Sequence, residues 1–195
     1  MQFNPAPYLE IGGIKTKRQK EIFTKNEIEK LFSSIPTNPN ARHIIIMIFT
    51  CMRTGEYMYL NRKQIDFDKN EIIDFGEKTN AGRNRKMFIH PKIKDILMDL
   101  AIESQSGYLI EEDGKALKYD EQFYNNIYYP ALEEAGIKRK IPYTCRYTFA
   151  TIAHNSGVSD KALQNLMGHT DFSITANSYI QDLDEFIYEE LQKIQ

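Results

Sequence analysis

A segment that is apolar on nearly every side constrains this chain most. It runs from about Ala41 to Met52 and contains the uninterrupted series Ile44-Ile45-Ile46-Met47-Ile48-Phe49. A helix with no polar face must be surrounded by other elements, so we predict it at the centre of a helical domain. The segment is far shorter than the roughly 20 apolar residues that a membrane-spanning helix needs. The 195 residues of the chain suffice to enclose it within one ordinary domain.

The surrounding segments predict a mainly α domain with a small antiparallel β-sheet, which is an α+β fold. Thr24 and Glu27 form a capping-box pattern before the first helix. Between Gln64 and His90 the apolar spacing becomes that of strands, with turn residues at 68–70 and a glycine-bearing hairpin loop at 80–82. Pro91 opens the next helix. Further helices are predicted near residues 119–135, 144–155, 159–167, 171–180 and 184–193, with Gly136, Gly157 and Gly168 at helix ends.

The charges are unevenly distributed, although the net charge is only −2. Basic residues form three clusters, whereas acidic residues concentrate in the C-terminal tail. Solvated charged faces are common, so no single cluster identifies a nucleic-acid partner. The two cysteines, Cys51 and Cys145, cannot form a disulfide framework and indicate a reducing compartment. Met1–Glu10 has no apolar stretch like that of a signal peptide, so we expect a cytoplasmic protein without membrane association.

Two metal-site patterns fail on inspection. The acidic segment 66–77 has oxygen ligands at several positions of a calcium loop, but Glu71 occupies the sixth position, where the loop needs glycine. A turn between two strands explains the same residues. The cysteines and the histidines at 43, 90, 154 and 169 lack zinc-ligand spacing. We therefore predict no metal site and no cofactor.

The informative residues are scattered along the chain. Arg53 follows the apolar helix, and an arginine in such a context needs an anionic partner, for which Glu56 at i+3 is the candidate. Lys78 lies by the predicted hairpin, Arg146 begins a later helix, and Tyr179 taken alone would be an ordinary packed aromatic residue. It is the order of these residues that is informative.

That order resembles the tyrosine recombinase, or phage integrase, family. The segment Ile141–Thr151, then Gly157-Val158, then Leu166-Met167-Gly168-His169-Thr170, then Ile174-Thr175 and Tyr179 follows the family's C-terminal signature. Arg53-Thr54-Gly55-Glu56 is similar to its first arginine box, and Lys78-Thr79 to its β-hairpin lysine. The resemblance extends from about Phe23 to Ile180 and implies the tyrosine-recombinase catalytic-domain fold.

The chain departs from the family pattern at three positions. Tyr143 and Tyr147 stand where most members have histidine, and Cys51 replaces a glycine. Tyr143 leaves the proton-accepting group open, whereas the other two are expected to be packing variations. The family's N-terminal core-binding domain has no counterpart here, so we expect a catalytic domain from a longer integrase.

The resemblance implies site-specific recombination through a 3′-phosphotyrosine intermediate, for integration or excision of a mobile element. It assigns the catalytic roles to Arg53, Lys78, Tyr143, Arg146, His169 and Tyr179, with Glu56 supporting Arg53. Arginines would stabilise the phosphate, Lys78 would protonate the leaving oxygen and Tyr179 would attack. No metal is needed, because the phosphotyrosine conserves the energy of the broken bond.

The implied partner is double-stranded DNA, together with other protomers bound through the C-terminal helix. We expect a basic lead-in over 1–22, the catalytic domain over 23–181 and, over 182–195, a C-terminal helix that can be exchanged between protomers. The cell would be prokaryotic, with the protein at the nucleoid when on DNA. Two alternatives stay open: a DNA-binding protein of this fold that does not cleave, and a helical interaction scaffold. The predicted DNA contacts are Lys15, Lys17, Arg18, Arg83, Arg85, Lys86, Lys138, Arg139 and Lys140.

Overall fold

The computed structural model describes residues 21–75, 86–168 and 187–194. These residues form a mainly helical structure with two small antiparallel sheets. The helices are α1 (Lys25–Ser34), α2 (Ala41–Thr50), α3 (Thr54–Met58), α4 (Pro91–Glu103), α5 (Asp120–Gln122), α6 (Tyr129–Glu134), α7 (Thr144–Asn155) and α8 (Asp160–Met167). The strands are β1 (Ile65–Asp66), β2 (Glu71–Ile73), β3 (Lys86–Phe88), β4 (Glu111–Glu112) and β5 (Lys115–Ala116). A 3-10 turn covers Arg62–Gln64, a π-helical segment covers Phe123–Tyr128, and residues 187–192 are helical.

Helix α2 is the centre of the domain, as its composition predicts. All of its residues except Arg42 are buried, and it packs against α1, α4 and α7. Its one buried histidine, His43, shares a hydrogen bond of 2.8 Å between Nδ1 and the Tyr57 hydroxyl. Burial lowers the pKa of His43 to about 3, because the apolar surroundings penalise the charged imidazolium. His43 is therefore neutral in the folded core.

The predicted β-meander is confirmed. Strands β1, β2 and β3 pair antiparallel in that order, with Ile72 opposite both Ile65 and Met87. In the turn after β1, an oxygen of Asp66 accepts the backbone N–H groups of Asp68 at 3.1 Å and Lys69 at 2.9 Å. The acidic segment that resembles a calcium loop is thus a strand-to-strand turn over its described part. The predicted hairpin loop at 80–82 lies outside the described residues.

Most predicted helix boundaries agree with the structure. Thr24 and Glu27 form the expected capping box, in which the Glu27 carboxylate accepts the Thr24 N–H at 2.8 Å. Helix α4 begins at Pro91, and the three glycines predicted at helix ends all have positive φ. The sequence patterns missed three features: helix α3, the β4–β5 hairpin and the π-helical turn inside the helix predicted near 119–135. Two-residue strands are too short to show a period, and a π turn keeps an amphipathic pattern.

The described C-terminal residues dock on the same domain. Ile187, Leu191 and Ile194 are buried in the common core, and the rings of Tyr188 and Phe88 meet edge to face at 5.4 Å. His90 Nε2 donates to the Ile194 carbonyl at 2.7 Å, while its Nδ1 accepts the Lys92 N–H at the start of α4. The apolar side chains of the described C-terminal residues are therefore covered by their own chain. No helix within the described ranges is long and apolar enough to cross a membrane.

Candidate active site

Arg53 stands at the N-terminal end of α3, directly after the central helix. The Glu56 carboxylate accepts the Arg53 backbone N–H at 2.8 Å and its Nη1 group at 2.8 Å. The Arg53 side chain is 46% exposed, whereas that of Glu56 is 2% exposed. One buried carboxylate thus caps the helix and holds the guanidinium, while leaving much of its surface open to solvent. The partner proposed for Arg53 from the sequence is confirmed.

Arg146 lies in the first turn of α7 and is only 1% exposed. Its Nη1 donates to the Cys51 carbonyl, and its Nη2 donates to the Met167 carbonyl at 3.0 Å. These two acceptors offset part of the cost of burying the charge. The buried Nε–H group finds no acceptor in the part of the chain that the structure describes. Arg146 therefore joins the ends of α2 and α8 and has one donor without an acceptor among the described residues.

Cys51 connects the two arginine segments through its backbone. It ends α2 in the left-handed conformation, with φ of 54°, and its side chain is fully buried. A non-glycine residue pays about 1 kcal/mol or more in this conformation. The glycine that the family pattern has here suits this backbone, so the position is set by backbone geometry and not by packing alone, contrary to our expectation.

Tyr143 immediately precedes α7 and is 43% exposed. Its ring lies edge to face on Tyr147 at 4.9 Å between centroids, and the Arg146 guanidinium carbon is 5.7 Å from the Tyr143 centroid. The two tyrosines that depart from the family pattern therefore form one aromatic pair beside Arg146.

Three of the predicted catalytic residues, Lys78, His169 and Tyr179, lie outside the described residues. The chain leading to His169 is described as far as Gly168, which ends α8 with φ of 65°. Because the Met167 carbonyl accepts from Arg146, the described chain before His169 is anchored to the second arginine.

The predicted DNA contacts that the structure describes are either exposed or paired with carboxylates. Lys138 and Arg139 are exposed, and the Arg139 guanidinium stacks 3.6 Å above the Tyr129 ring. Lys86 forms an ion pair of 2.8 Å with Glu71. Lys140 is 7% exposed and pairs with two carboxylates, so its ammonium does not face solvent and the predicted DNA contact does not fit it. The other predicted contacts, Lys15, Lys17, Arg18, Arg83 and Arg85, lie outside the described residues.

Metal and thiol chemistry find no support in the described part of the chain. No three potential metal-ligating side chains converge there. Cys145 lies 3.8 Å from the Tyr128 hydroxyl, and burial raises the pKa of its thiol to about 12. The thiol is therefore protonated at neutral pH and acts as a small buried apolar group.

The sequence patterns named Arg53, Glu56 and Arg146 as candidate site residues but did not indicate the backbone partners of Arg146. The carbonyls of Cys51 and Met167 accept from Arg146, yet a carbonyl is present at every residue and leaves no pattern. The only available signal is the family glycine at position 51, which marks an unusual backbone.

The fold is that of an integrase catalytic domain. The integrase from mycobacterium phage Brujita superimposes with a TM-score of 0.69 at 16% identity, covering 92% of this chain and 60% of that chain. The Tn1549 transposon integrase in complex with a circular intermediate DNA gives a TM-score of 0.67 at 21% identity, over 97% and 70% of the two chains. This confirms the predicted fold class.

The sequence model of the phage integrase family matches residues 21–185, and the chain belongs to that family. Tyrosine recombinase XerA of Thermococcus onnurineus is 31% identical over 166 residues, which is 82% of this chain and 57% of the relative. Tyrosine recombinase XerC of Staphylococcus aureus is 26% identical over 177 residues, 83% of this chain and 57% of the relative. The chain thus spans little more than half the length of these relatives.

Proposed function

We propose that this chain is the DNA-cleaving and DNA-joining part of a site-specific tyrosine recombinase. The observation that carries the proposal is the unpaired Nε–H of Arg146, a donor on a buried cation that has no acceptor among the described residues. Leaving such a group unpaired costs about 1–3 kcal/mol. A phosphate oxygen would relieve that cost, so the second arginine has the properties of an anion-binding group.

The contact between Arg146 and the Cys51 carbonyl supports a shared phosphate site. It spans 95 positions of sequence and brings the second arginine next to the segment that carries Arg53. Two guanidiniums beside one phosphate would stabilise the charge that develops on its non-bridging oxygens. Because Arg146 is buried, the phosphate must displace neighbouring chain to reach it, and we expect a conformational step before cleavage.

The reaction that we propose needs no metal. The Tyr179 oxygen forms a bond to phosphorus, the bond to the 5′-oxygen breaks, and Lys78 transfers a proton to that oxygen. Arg53, Arg146 and His169 hold the phosphate. Since the pKa of a free phenol is near 10, the field of the two arginines favours loss of the Tyr179 proton to water.

The partner that we propose is duplex DNA, and the solved Tn1549 integrase and XerH recombinase are described in complexes with DNA. The exposed pair Lys138 and Arg139 is the described candidate for phosphate contacts, whereas Lys140 is assigned to the structure of the domain. In a DNA-bound assembly we propose that the C-terminal helix leaves its own domain. It would then dock on a neighbouring protomer, at the surface next to Phe88 and His90 that it occupies here. The site of action is the prokaryotic cytoplasm, at the nucleoid.

A covalent adduct tests the proposal. The full chain is incubated with a pool of nicked duplexes randomised around the nick, and protein-linked DNA is detected on a denaturing gel and sequenced. We expect an adduct with the wild type and none with Tyr179→Phe, which loses only an oxygen and keeps DNA binding. An adduct that persists in Tyr179→Phe assigns the nucleophile elsewhere. DNA binding without any wild-type adduct would favour the non-cleaving alternative.

A further inference from the structure

The chain enters the domain through a set of contacts that we call the N-terminal latch, formed by Glu21, Phe23 and Glu27 on one side and by Lys140 and Thr148 on the other. The Lys140 ammonium lies 3.1 Å from Glu21 Oε1 and 3.2 Å from Glu27 Oε1. Its position 5.7 Å from the Phe23 centroid adds a cation–π contact. The lysine thus holds two residues that precede the capping box and one residue of the box itself, Glu27.

A second bond of the latch reaches the helix that carries the second arginine. The Phe23 backbone N–H donates to Thr148 Oγ1 at 2.9 Å, and that hydroxyl donates to the Thr144 carbonyl at 2.8 Å. Both Phe23 and Thr148 are buried, at 2% and 0% exposure. The Thr148 hydroxyl therefore donates one hydrogen bond and accepts another at the same time. A side chain of the same shape without the oxygen could not make these two bonds.

The charged group that the latch buries is the lysine. Its side chain is 7% exposed, against 18% for Glu27 and 51% for Glu21, and lysine is almost never buried unless it is paired. Here the charges are retained at the point where the chain before residue 21 joins the domain. Burial raises the pKa of Glu27, but bonds from the Thr24 backbone and from Lys140 bring it below its ordinary value, so this carboxyl group is ionised at neutral pH.

Thr144 and Thr148 lie on either side of Arg146 along α7. We propose that the N-terminal latch transmits the position of the chain before residue 21 to Arg146, with Thr148 and Lys140 as positioning residues for cleavage. This inference rests on the proposed function. A displacement of residues 21–24 moves α7 through Thr148, and the Arg146 guanidinium with it, relative to the carbonyls that hold it.

The first test measures the latch itself, without DNA. Hydrogen exchange of the Phe23 amide in the full chain should accelerate at least about tenfold in Thr148→Val, which keeps the shape but loses the acceptor. Thr148→Ser restores the acceptor and should restore protection. Thr151→Val is the matched control, because the Thr151 hydroxyl makes the same bond within the helix, to the Tyr147 carbonyl at 2.8 Å. Unchanged exchange in Thr148→Val would disprove the latch.

The second test is single-turnover cleavage of the nicked duplexes recovered from the randomised pool. The amplitude of cleavage measures the fraction of the protein that is folded and active. The rate constant measures how fast each active molecule cleaves. We expect the rate constant to fall about fivefold to tenfold in Thr148→Val and Lys140→Met at saturating DNA, with recovery in Thr148→Ser. Lys30→Met, which removes an exposed charge on α1, is the control for loss of a lysine and should leave the rate constant unchanged. If Thr148→Val does not fold, Lys140→Met decides the outcome.

The outcomes separate this inference from the proposed function. A wild-type adduct with unchanged rate constants in both latch variants overturns the inference alone. A loss of amplitude without a change in rate constant also overturns it, because the latch would then be purely structural. Failure of the wild type to form any adduct overturns the proposed function, and this inference with it.

Discussion

Replacing Glu56 by glutamine tests how far the first arginine depends on a buried carboxylate. Glu56→Gln conserves shape but removes the charge that faces Arg53. Each carboxylate oxygen of Glu56 accepts from one nitrogen of Arg53 at 2.8 Å. In the variant one of these oxygens is replaced by an amide NH₂ group, which donates and cannot accept from Arg53. A lost helix cap costs about 1 kcal/mol, and a lost charge-assisted bond costs about 1.5–3 kcal/mol. Because Arg53 is 46% exposed, solvent recovers part of the second amount.

We therefore expect Glu56→Gln to lower the free energy of unfolding by about 2–3 kcal/mol, which corresponds to a fall in Tm of about 5–10 °C. Urea unfolding followed by circular dichroism measures the change at pH 7. Glu103→Gln is the matched control: Glu103 pairs with both terminal nitrogens of Arg42 at 2.9 Å, but its side chain is 57% exposed. That variant should lose less than about 1 kcal/mol.

The result that refutes this reasoning is equal destabilisation by Glu56→Gln and Glu103→Gln. It would mean that burial adds nothing to the Glu56 pair. A second readout is adduct formation at saturating DNA, which should slow in Glu56→Gln because the Arg53 guanidinium loses its support. Unchanged cleavage by a destabilised Glu56→Gln protein would mean that Glu56 stabilises the fold without supporting Arg53 in cleavage.

Two further predictions concern His43 and Tyr143. The pKa of His43 is about 3 in the folded state and near 6.5 in the unfolded state. The stability that the protein gains from keeping this side chain neutral is therefore complete above pH 6.5. That stability is lost by about 1.4 kcal/mol per pH unit as the pH falls towards 3. Urea unfolding across pH should show a shallower slope when His43 and Tyr57 are both replaced by phenylalanine, and an unchanged slope in that double variant would contradict this account. Tyr143→Phe should slow single-turnover cleavage about tenfold, equivalent to about 1.4 kcal/mol, against at least about a hundredfold for Arg146→Ala. If Tyr143→Phe is as inactive as Arg146→Ala, the tyrosine has an indispensable chemical role.

The sequence predicted the elements that have a distinctive local pattern. The all-apolar helix at 41–50 and the capping box at Thr24 are confirmed because their patterns reflect local physics. Adjacent loop residues are different, since a loop has no period that assigns an inner and an outer face. Lys138 and Lys140 are therefore equivalent in sequence, yet one is exposed and the other buried.

The candidate site was predictable to the extent that its chemistry resides in side chains. The order of motifs identified Arg53, Glu56 and Arg146, and the structure supplies the partners of each. It also shows that Cys51 has φ of 54° and accepts from Arg146 through its carbonyl. A backbone conformation and a carbonyl acceptor depend on tertiary contacts between distant segments, which no local pattern contains.

The docking of residues 187–194 has a consequence for how the protein is made. The bond from His90 to the Ile194 carbonyl joins positions that are 104 residues apart. At about 5–20 residues per second, the ribosome needs roughly 5–20 s to supply the second partner after the first. During that interval Phe88 lacks its contact with the Tyr188 ring and His90 lacks its bond to the Ile194 carbonyl. The last contacts of the domain can therefore form only after residue 194 has emerged, and until then the apolar side chains that residues 187–194 contact are exposed on the nascent chain, where such surface promotes aggregation.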